Sequence, residues 1–306
     1  MNRRDTGLML ALAAVWGLSF LFLKVASPAV GPLVVAAFRV AGGALVLSVW
    51  LAVRRTPWPS RAHWRPLLTT ALLSAVLPFM GLSYAARHVP AGLLSILNAT
   101  TPLWGALVAW LWAGEPLNRR QWVNLLLGFA SVTALVTSQP AADQAGGTEA
   151  GLPPLAVAAA LASTLMYALA VHQNKRQLGD LPALTNSWGT LVAASLVLLG
   201  PALVAGPWPD ATHPAPAGAG WSAVPGVAWA ALGALAVLCT GLAYVWFYDL
   251  LERVGPTQVL MVTYLIPVFG MAWSALLLGE AISGRMLLCA ALIVGSTMWA
   301  QRAPQR

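Results

Sequence analysis

Arg39 stands inside the apolar run VVAAFRVAGGALVLSVW (34–50). At the centre of a membrane-spanning helix a guanidinium costs about 2.5 to 3.5 kcal/mol on insertion scales, so its presence needs a reason. Two are open to it: charge-assisted hydrogen bonding to a carboxylate in a cavity of low dielectric, or pinning its own helix to backbone carbonyls of a neighbour. Lys24 lies near the end of the preceding run, where a long stem can snorkel to headgroups. Asn98 falls at a depth comparable to Arg39. Together the three define a positive, hydrogen-bonding half of any bundle these runs build.

The acids are placed differently. Asp5, Asp143, Glu149, Asp180 and Asp210 belong to loops or tails, and Asp249 and Glu252 to the end of an apolar run. Glu115 and Glu280 each follow a glycine that ends a run, where a carboxylate favours the positive N-terminus of the next helix. No run carries a carboxylate at its middle, so any proton coupling falls to His172, His88 or Asp249, and His88 suits a solvated interfacial role. The polar and aromatic residues at mid-depth are Trp16, Tyr84, Tyr167, Trp188, Tyr244, Tyr248 and Tyr264, with Asn186 beside Trp188. Singly, each suits lipid-facing packing or interface anchoring; as a set they can wall an amphipathic cavity. No Ser/His/Asp set, His/Cys metal spacing or glycine-rich phosphate loop is present, so no catalytic residue, metal or cofactor is expected.

Long helices must position these residues. The chain is 59% hydrophobic and 8% charged, with a mean hydropathy of +0.74, against about 25% charged residues in a soluble domain. Its net charge of +8 does not point to nucleic acid, because the arginines lie between apolar runs instead of on one clustered face. Cys239 and Cys289 lie within apolar runs as packed thiols. The N-terminal run continues past residue 22 without a clean cleavage site, which predicts an uncleaved first helix.

Apolar runs of about 18 residues or more, bounded by Arg, Gly or Pro, predict ten transmembrane helices. They fall at 7–26, 32–53, 66–85, 91–112, 121–138, 152–172, 183–205, 225–250, 256–278 and 285–301. With the N-terminus in the cytoplasm, 13 of the 17 basic residues fall in cytoplasmic segments and only Arg87 and Arg285 in outer ones. Lys and Arg resist translocation, which predicts both termini inside.

The run NATTPLWGALVAWLWAGEPLNRRQWVNLLL (98–127) recurs as TYLIPVFGMAWSALLLGEAISGRMLLCAAL (263–292). Pro102, Gly105, Gly114, Glu115 and Arg120 match Pro267, Gly270, Gly279, Glu280 and Arg285, each pair 165 residues apart. An offset of 148 likewise pairs Lys24 with His172 and Arg39 with Ser187, and the offset of 165 pairs Asn98 with Thr263. Five helices per half is an odd number, so the second copy enters from the opposite face. The expected fold is an all-α polytopic membrane protein of two inverted-topology five-helix repeats, 7–138 and 152–301, joined by an outer linker, 139–151. Pro102 and Pro267 are expected to loosen their helices and permit rocking.

Two such repeats, each opening with a helix such as AAVWGLSFLFLK (13–24), continuing with AAFR (36–39) and closing with the P-x-x-G…GE hairpin, resemble the EamA-type transporters of the drug/metabolite transporter superfamily. The resemblance implies an exporter or exchanger of small metabolites, often amino acids, with a central cavity lined by helices 1 to 4 and 6 to 9. Small multidrug-resistance members of that superfamily carry a glutamate midway along the first helix. Trp16 and apolar neighbours stand there in this chain, which argues against cation-for-proton exchange of that kind.

The expectation is therefore an inner-membrane, alternating-access exporter or facilitator of amino acids or related solutes. Its partners would be a small-molecule substrate and lipid. Arg39, Trp16, Tyr84, Asn98, Tyr167, Asn186, Trp188, Tyr244, Tyr248 and Tyr264 would line the path, with His172 and Asp249 as possible coupling groups. Efflux of amphipathic drugs is the rival in the same class, and would spare Arg39 while depending on Trp16 and the tyrosines. A membrane-embedded transferase is the rival in another class, and would need a cluster of catalytic polar residues at one interface.

Overall fold

The computed structural model describes residues 2–137, 152–208 and 220–301. The expected linker 139–151 with Asp143 and Glu149, and also Asp210, Arg302 and Arg306, lie outside the described residues. In the described residues all regular structure is helical: α1 (Arg3–Val30), α2 (Pro32–Arg54), α3 (Arg61–His88), α4 in two pieces (Ala91–Asn98 and Thr101–Ala113) and α5 (Arg119–Thr137). Then follow α6 (Pro154–Gln177), α7 (Ala183–Ala205), α8 (Gly226–Val254), α9 in two pieces (Pro256–Val259 and Met261–Leu278) and α10 (Gly284–Gln301). Helices satisfy their own backbone groups, which a hydrocarbon solvent cannot do for them.

Among the described residues, eight helices are long and apolar enough to cross a membrane, namely α1 to α4 and α6 to α9. The remaining two, α5 and α10, follow the expected runs but are shortened in apolar content by Arg119, Arg120, Gln121 and Asn124, and by Arg285 and Gln301.

Glycine and proline place the breaks. Gly31 takes φ 83°, a conformation open to glycine, and turns the chain between α1 and α2 while the Trp208 N–H donates to the Val30 carbonyl at 3.0 Å. A proline has no N–H and crowds the carbonyl four residues back. Pro102 accordingly sits in the first turn of the second piece of α4, just past the break at 99–100, and the freed Asn98 carbonyl accepts from the Thr101 hydroxyl at 2.8 Å. In α9 the break falls at Leu260 and Pro267 lies inside the longer piece. Two stretches are wound wider, as π-helix: Leu72–Val76 in α3, just before Pro78, and Ala234–Leu242 in α8.

Packing joins distant parts of the chain. The main pairs are α2 with α7, α1 with α9, α5 with α10, α3 with α6 and α2 with the π-wound part of α8. Small residues allow the close approach. A Cβ added to Gly42 would lie 2.5 Å from the Ala236 Cβ, and one added to Gly17 would lie 2.8 Å from the Phe269 Cβ. One end of the bundle, hereafter the basic end, is tied by ion pairs. Arg54 meets Asp249 at 2.9 Å and Arg253 meets Asp5 at 3.1 Å, joining α2, α8 and α1, while His63 meets Asp180 at 2.9 Å and joins α3 to the α6–α7 turn. Lys24, at the opposite end, donates to the Val89 carbonyl at 3.3 Å.

Gly42→Leu is expected to lower stability by about 1 to 3 kcal/mol through overpacking. Thermal unfolding in detergent measures this, with Gly7→Ala as the control, because nothing lies within 4 Å of a Cβ added there. The hydrogen bond from His63 holds the Asp180 carboxyl below the ordinary aspartate range, aided by a backbone hydrogen bond. A depressed folded-state pKa means the tie is present above that range and lost as pH falls through the folded value. In a carboxyl NMR titration, His63→Ala should move the Asp180 midpoint upward.

Candidate functional site

Three cavities share walls in the middle of the bundle, and Trp16 of α1 lines all of them. Its indole leans on Phe247 of α8 with ring centroids 5.5 Å apart. The largest cavity, about 540 Å³, lies between α4 and α9, with α1, α6, α8 and α10 completing its wall. The first piece of α4 packs along α9, whereas the second turns toward α6 and α5, and the cavity fills the resulting gap. Its lining combines apolar and aromatic surface with Asn98, Thr101, His172, Thr263, Tyr264 and Gln301. A second cavity of about 280 Å³, between α3, α6, α7 and α8, is hydroxyl-rich, with Thr70, Ser74, Ser187, Thr190, Tyr244 and Tyr248. The third, about 160 Å³, holds Arg39 with Ser19, Phe79, Asn98, Tyr167 and Tyr244.

Arg39 is buried, at 8% exposure. Its Nε donates to the Thr240 hydroxyl at 3.0 Å and its guanidinium carbon lies 4.0 Å from the Phe79 ring centroid. The pin is thus a side-chain hydroxyl and an aromatic face instead of backbone carbonyls. Among the described lining residues of the three cavities Arg39 carries the one permanent charge, and no carboxylate lines them. The electrostatic character is that of a cation beside uncharged hydrogen-bonding groups, in walls otherwise suited to apolar surface.

Trp16, Arg39, Asn98, Tyr167, Tyr244, Tyr248, Tyr264 and His172 are brought together in this way, as are the repeat counterparts Thr263 and Ser187. Tyr248 hydrogen-bonds Ser187, Tyr264 hydrogen-bonds Gln301, and His172 Nδ1 lies 3.1 Å from the Ala168 carbonyl, a contact that requires the proton on Nδ1.

The remaining expected residues stand elsewhere. Asn186 is one step behind the wall, its amide donating at 2.6 Å to Asn174, which lines the hydroxyl-rich cavity. Trp188 faces α2, its indole N–H donating to Ser48 at 2.7 Å, and packs edge-on against Trp58 at 4.5 Å. Tyr84 packs on His88, with centroids 5.1 Å apart. Asp249 is engaged with Arg54 at the basic end. Sequence reasoning missed Thr240, Phe79 and Phe247. Thr240 was within reach of helical spacing, because 240, 244 and 248 fall on one face at steps of four.

The model of the EamA-like transporter family matches residues 6–137 and again 154–300. The chain belongs to this family. Among its relatives, an uncharacterized transporter, YvbV, of Bacillus subtilis (strain 168) is 27% identical over 303 residues, covering 97% of this chain and 91% of that protein. A "probable amino-acid metabolite efflux pump" of Escherichia coli (strain K12) is 25% identical over 304 residues, covering 96% and 93%. A solved crystal structure has a TM-score of 0.61 and covers 99% of both chains at 19% identity, which shows a shared fold. The family and these relatives are transporters, and the apolar helices place this EamA-like chain in a membrane with several crossings.

A hydrogen bond to a charged group contributes about 1.5 to 3 kcal/mol. Thr240→Val, which keeps the shape and removes the acceptor for Arg39, should lower stability by about that amount in thermal unfolding. Tyr84→Phe should leave the unfolding temperature within error of the parent.

Proposed function

We propose that this EamA-like protein is an alternating-access exporter or facilitator of amino acids or related small solutes in the cell inner membrane, with both termini in the cytoplasm. One observation carries the proposal: a cavity of about 540 Å³ between α4 and α9 adjoins a buried, unneutralised cation. A guanidinium beside hydroxyls and an amide suits a carboxylate, and the apolar walls suit the rest of an amphipathic solute. No carboxylate is among the described residues that line the three cavities, which disfavours cationic substrates and tight proton coupling. The relative named as an amino-acid metabolite efflux pump points the same way.

The ten-helix arrangement of two inverted repeats, 7–138 and 152–301, belongs to the same proposal. Three features support it. The family pattern occurs twice. Exchanging each helix of the first half for its counterpart in the second maps the main contacts onto one another: α1 with α9 becomes α6 with α4, and α3 with α6 becomes α8 with α1. The ends joined by ion pairs also fit, because the start of α1 and the end of α6 lie at the basic end, which makes those counterparts antiparallel. Such halves give a carrier two related conformations around one site. In the conformation seen, α4 and α9 are closed at the opposite end and separated toward the basic end. The excess of basic residues there supports a cytoplasmic position for that end.

The test is counterflow of labelled amino acids, organic acids and cationic dyes in liposomes containing the purified protein, with and without a pH gradient. Amino-acid counterflow without a gradient, reduced about tenfold by Arg39→Ala in folded protein, is expected from loss of a charge-assisted contact. Dye transport that strictly requires the gradient and ignores Arg39→Ala would sink the substrate assignment.

A further inference from the structure

The hairpin that recurs 165 residues apart has one backbone in both copies. Gly114 (φ 68°, ψ 16°) and Gly279 (φ 67°, ψ 18°) donate to the carbonyls of Ala109 and Ser274, and the next N–H, of Glu115 and Glu280, reaches the same carbonyls at 3.1 and 3.2 Å. The carboxylates nevertheless have different fates. Glu280, half-buried, accepts from the backbone N–H groups of Ala91 at 3.0 Å and Gly92 at 3.3 Å, at the start of α4, and from the Ser274 hydroxyl. It caps a helix of the other half, not α10, which follows it in the chain. Glu115 is exposed, and among the described residues its carboxylate accepts no hydrogen bond.

The offset of 165 carries Ala91 and Gly92 to positions 256 and 257, at the start of α9. The place Glu115 would take is therefore defined. Packing shows the same asymmetry. A Cβ on Gly270 would run into the Ser95 side chain, so α9 and α4 are in contact there. Gly105, the counterpart of Gly270, has nothing within 4 Å of an added Cβ and lines the large cavity. One crossing is shut at two levels, and its mirror position is open at both.

We infer that Glu280 and Glu115 are the two gate latches of the transport cycle. Glu280 holds α9 on the start of α4 while the opposite end is shut. Glu115 takes the equivalent hold on the start of α9 when the basic end shuts and Glu280 lets go. The two latches are unequal. Position 256 is proline, with no N–H to give, and Ala109 replaces the hydroxyl of Ser274, so Glu115 has fewer donors and the basic end is the easier to open. This rests on the alternating-access proposal above, and it assigns to the two glutamates a role in positioning helices, not in touching substrate.

The test reads gate position without any substrate. Gly105→Cys, in protein whose Cys239 and Cys289 are replaced by alanine, reports on access to the large cavity by its rate of labelling with a membrane-impermeant maleimide added at the basic end. Glu280→Gln, which keeps the side chain's size and removes its charge, is expected to shift the population and slow labelling by at least about threefold. Glu115→Gln should leave it as fast as in the parent or faster. A Gly92→Cys/Ser274→Cys disulfide is geometrically favoured, since a Cβ at 92 would lie 3.3 Å from that of 274. Formed in the Glu280→Gln protein, it should restore fast labelling. Unchanged labelling in folded Glu280→Gln protein, or failure of the disulfide to restore it, overturns the latch. If the labelling changes as expected while no amino acid moves in counterflow, the latch stands and the substrate assignment fails. If counterflow is intact and labelling unchanged, the latch alone fails.

Discussion

α9 can lie against α1 and α4 only because the crossing is built from residues with almost no side chain. Gly17 faces Phe269 and the Gly270 nitrogen, and Gly270 faces Ser95. Lipid tails are as apolar as leucine, so helices in a bilayer associate by close dispersion packing and not by exclusion of water. Contact at one level then governs the rest. Two straight helices that touch at a crossing diverge beyond it, and the break in α4 at 99–100 lets its second piece swing further, onto α6 and α5. The large cavity is the space this divergence leaves. Its position is a consequence of where the glycines are, and its polar residues are those that the diverging faces present.

Arg39 adds a charge to that geometry at small net cost. A cation over an aromatic face contributes about 2 kcal/mol when desolvated, and a hydrogen bond to a charged group about 1.5 to 3. Together these offset the penalty of about 2.5 to 3.5 kcal/mol for placing the group in a membrane helix. Neither Phe79 nor Thr240 carries a negative charge, so both hold the guanidinium without neutralising it. The two roles that the sequence left open are therefore compatible, because a side chain pinned this way still projects its field into the adjoining cavity.

Much of the fold was legible because its punctuation is local. Gly114 and Gly279 end helices within a residue of the predicted ends, 112 and 278, whereas the helices closed by Gly31 and Gly255 run four residues past theirs, 26 and 250; each glycine has φ near 70 to 80°. Position along a helix follows from the rise per residue. Direction around the helix was harder, since each residue turns by about 100° and the neighbours that would fix the phase are far away in sequence. Trp188, in the second turn of α7, faces Ser48 and packs on Trp58 of the link before α3, and it lines none of the three cavities. Asp249, at the end of α8, answers to Arg54, 195 positions away. Glu280 shows the same boundary between local and long-range information. The sequence assigned it to the N-terminus of the next helix, and the pairing of α9 with α4 gives it the start of α4 instead.

Duplication supplies a scaffold whose two proposed conformations would be equal in energy if the halves were identical, so everything that makes the carrier directional must lie in the differences. The halves differ at most positions, and four of the differences bear on binding and closure. Arg39 stands opposite Ser187, Asn98 opposite Thr263, Ser274 opposite Ala109 and Ala91 opposite a proline. On the proposed cycle, the first two would change what the cavities can bind and the last two how firmly each end closes. A solute carboxylate drawn to Arg39 would lie nearer the end held by Glu280, because Leu23 and Leu82, late in α1 and α3, line the Arg39 cavity alone among the three. Binding and gating would then be coupled through proximity: a bound anion sits against the half whose closure depends on another anion, the Glu280 carboxylate. A substrate that loads from the basic end would meet Tyr264, His172 and Asn98 before Arg39, an order set by the slope of α4 away from α9 and not by any feature of the substrate.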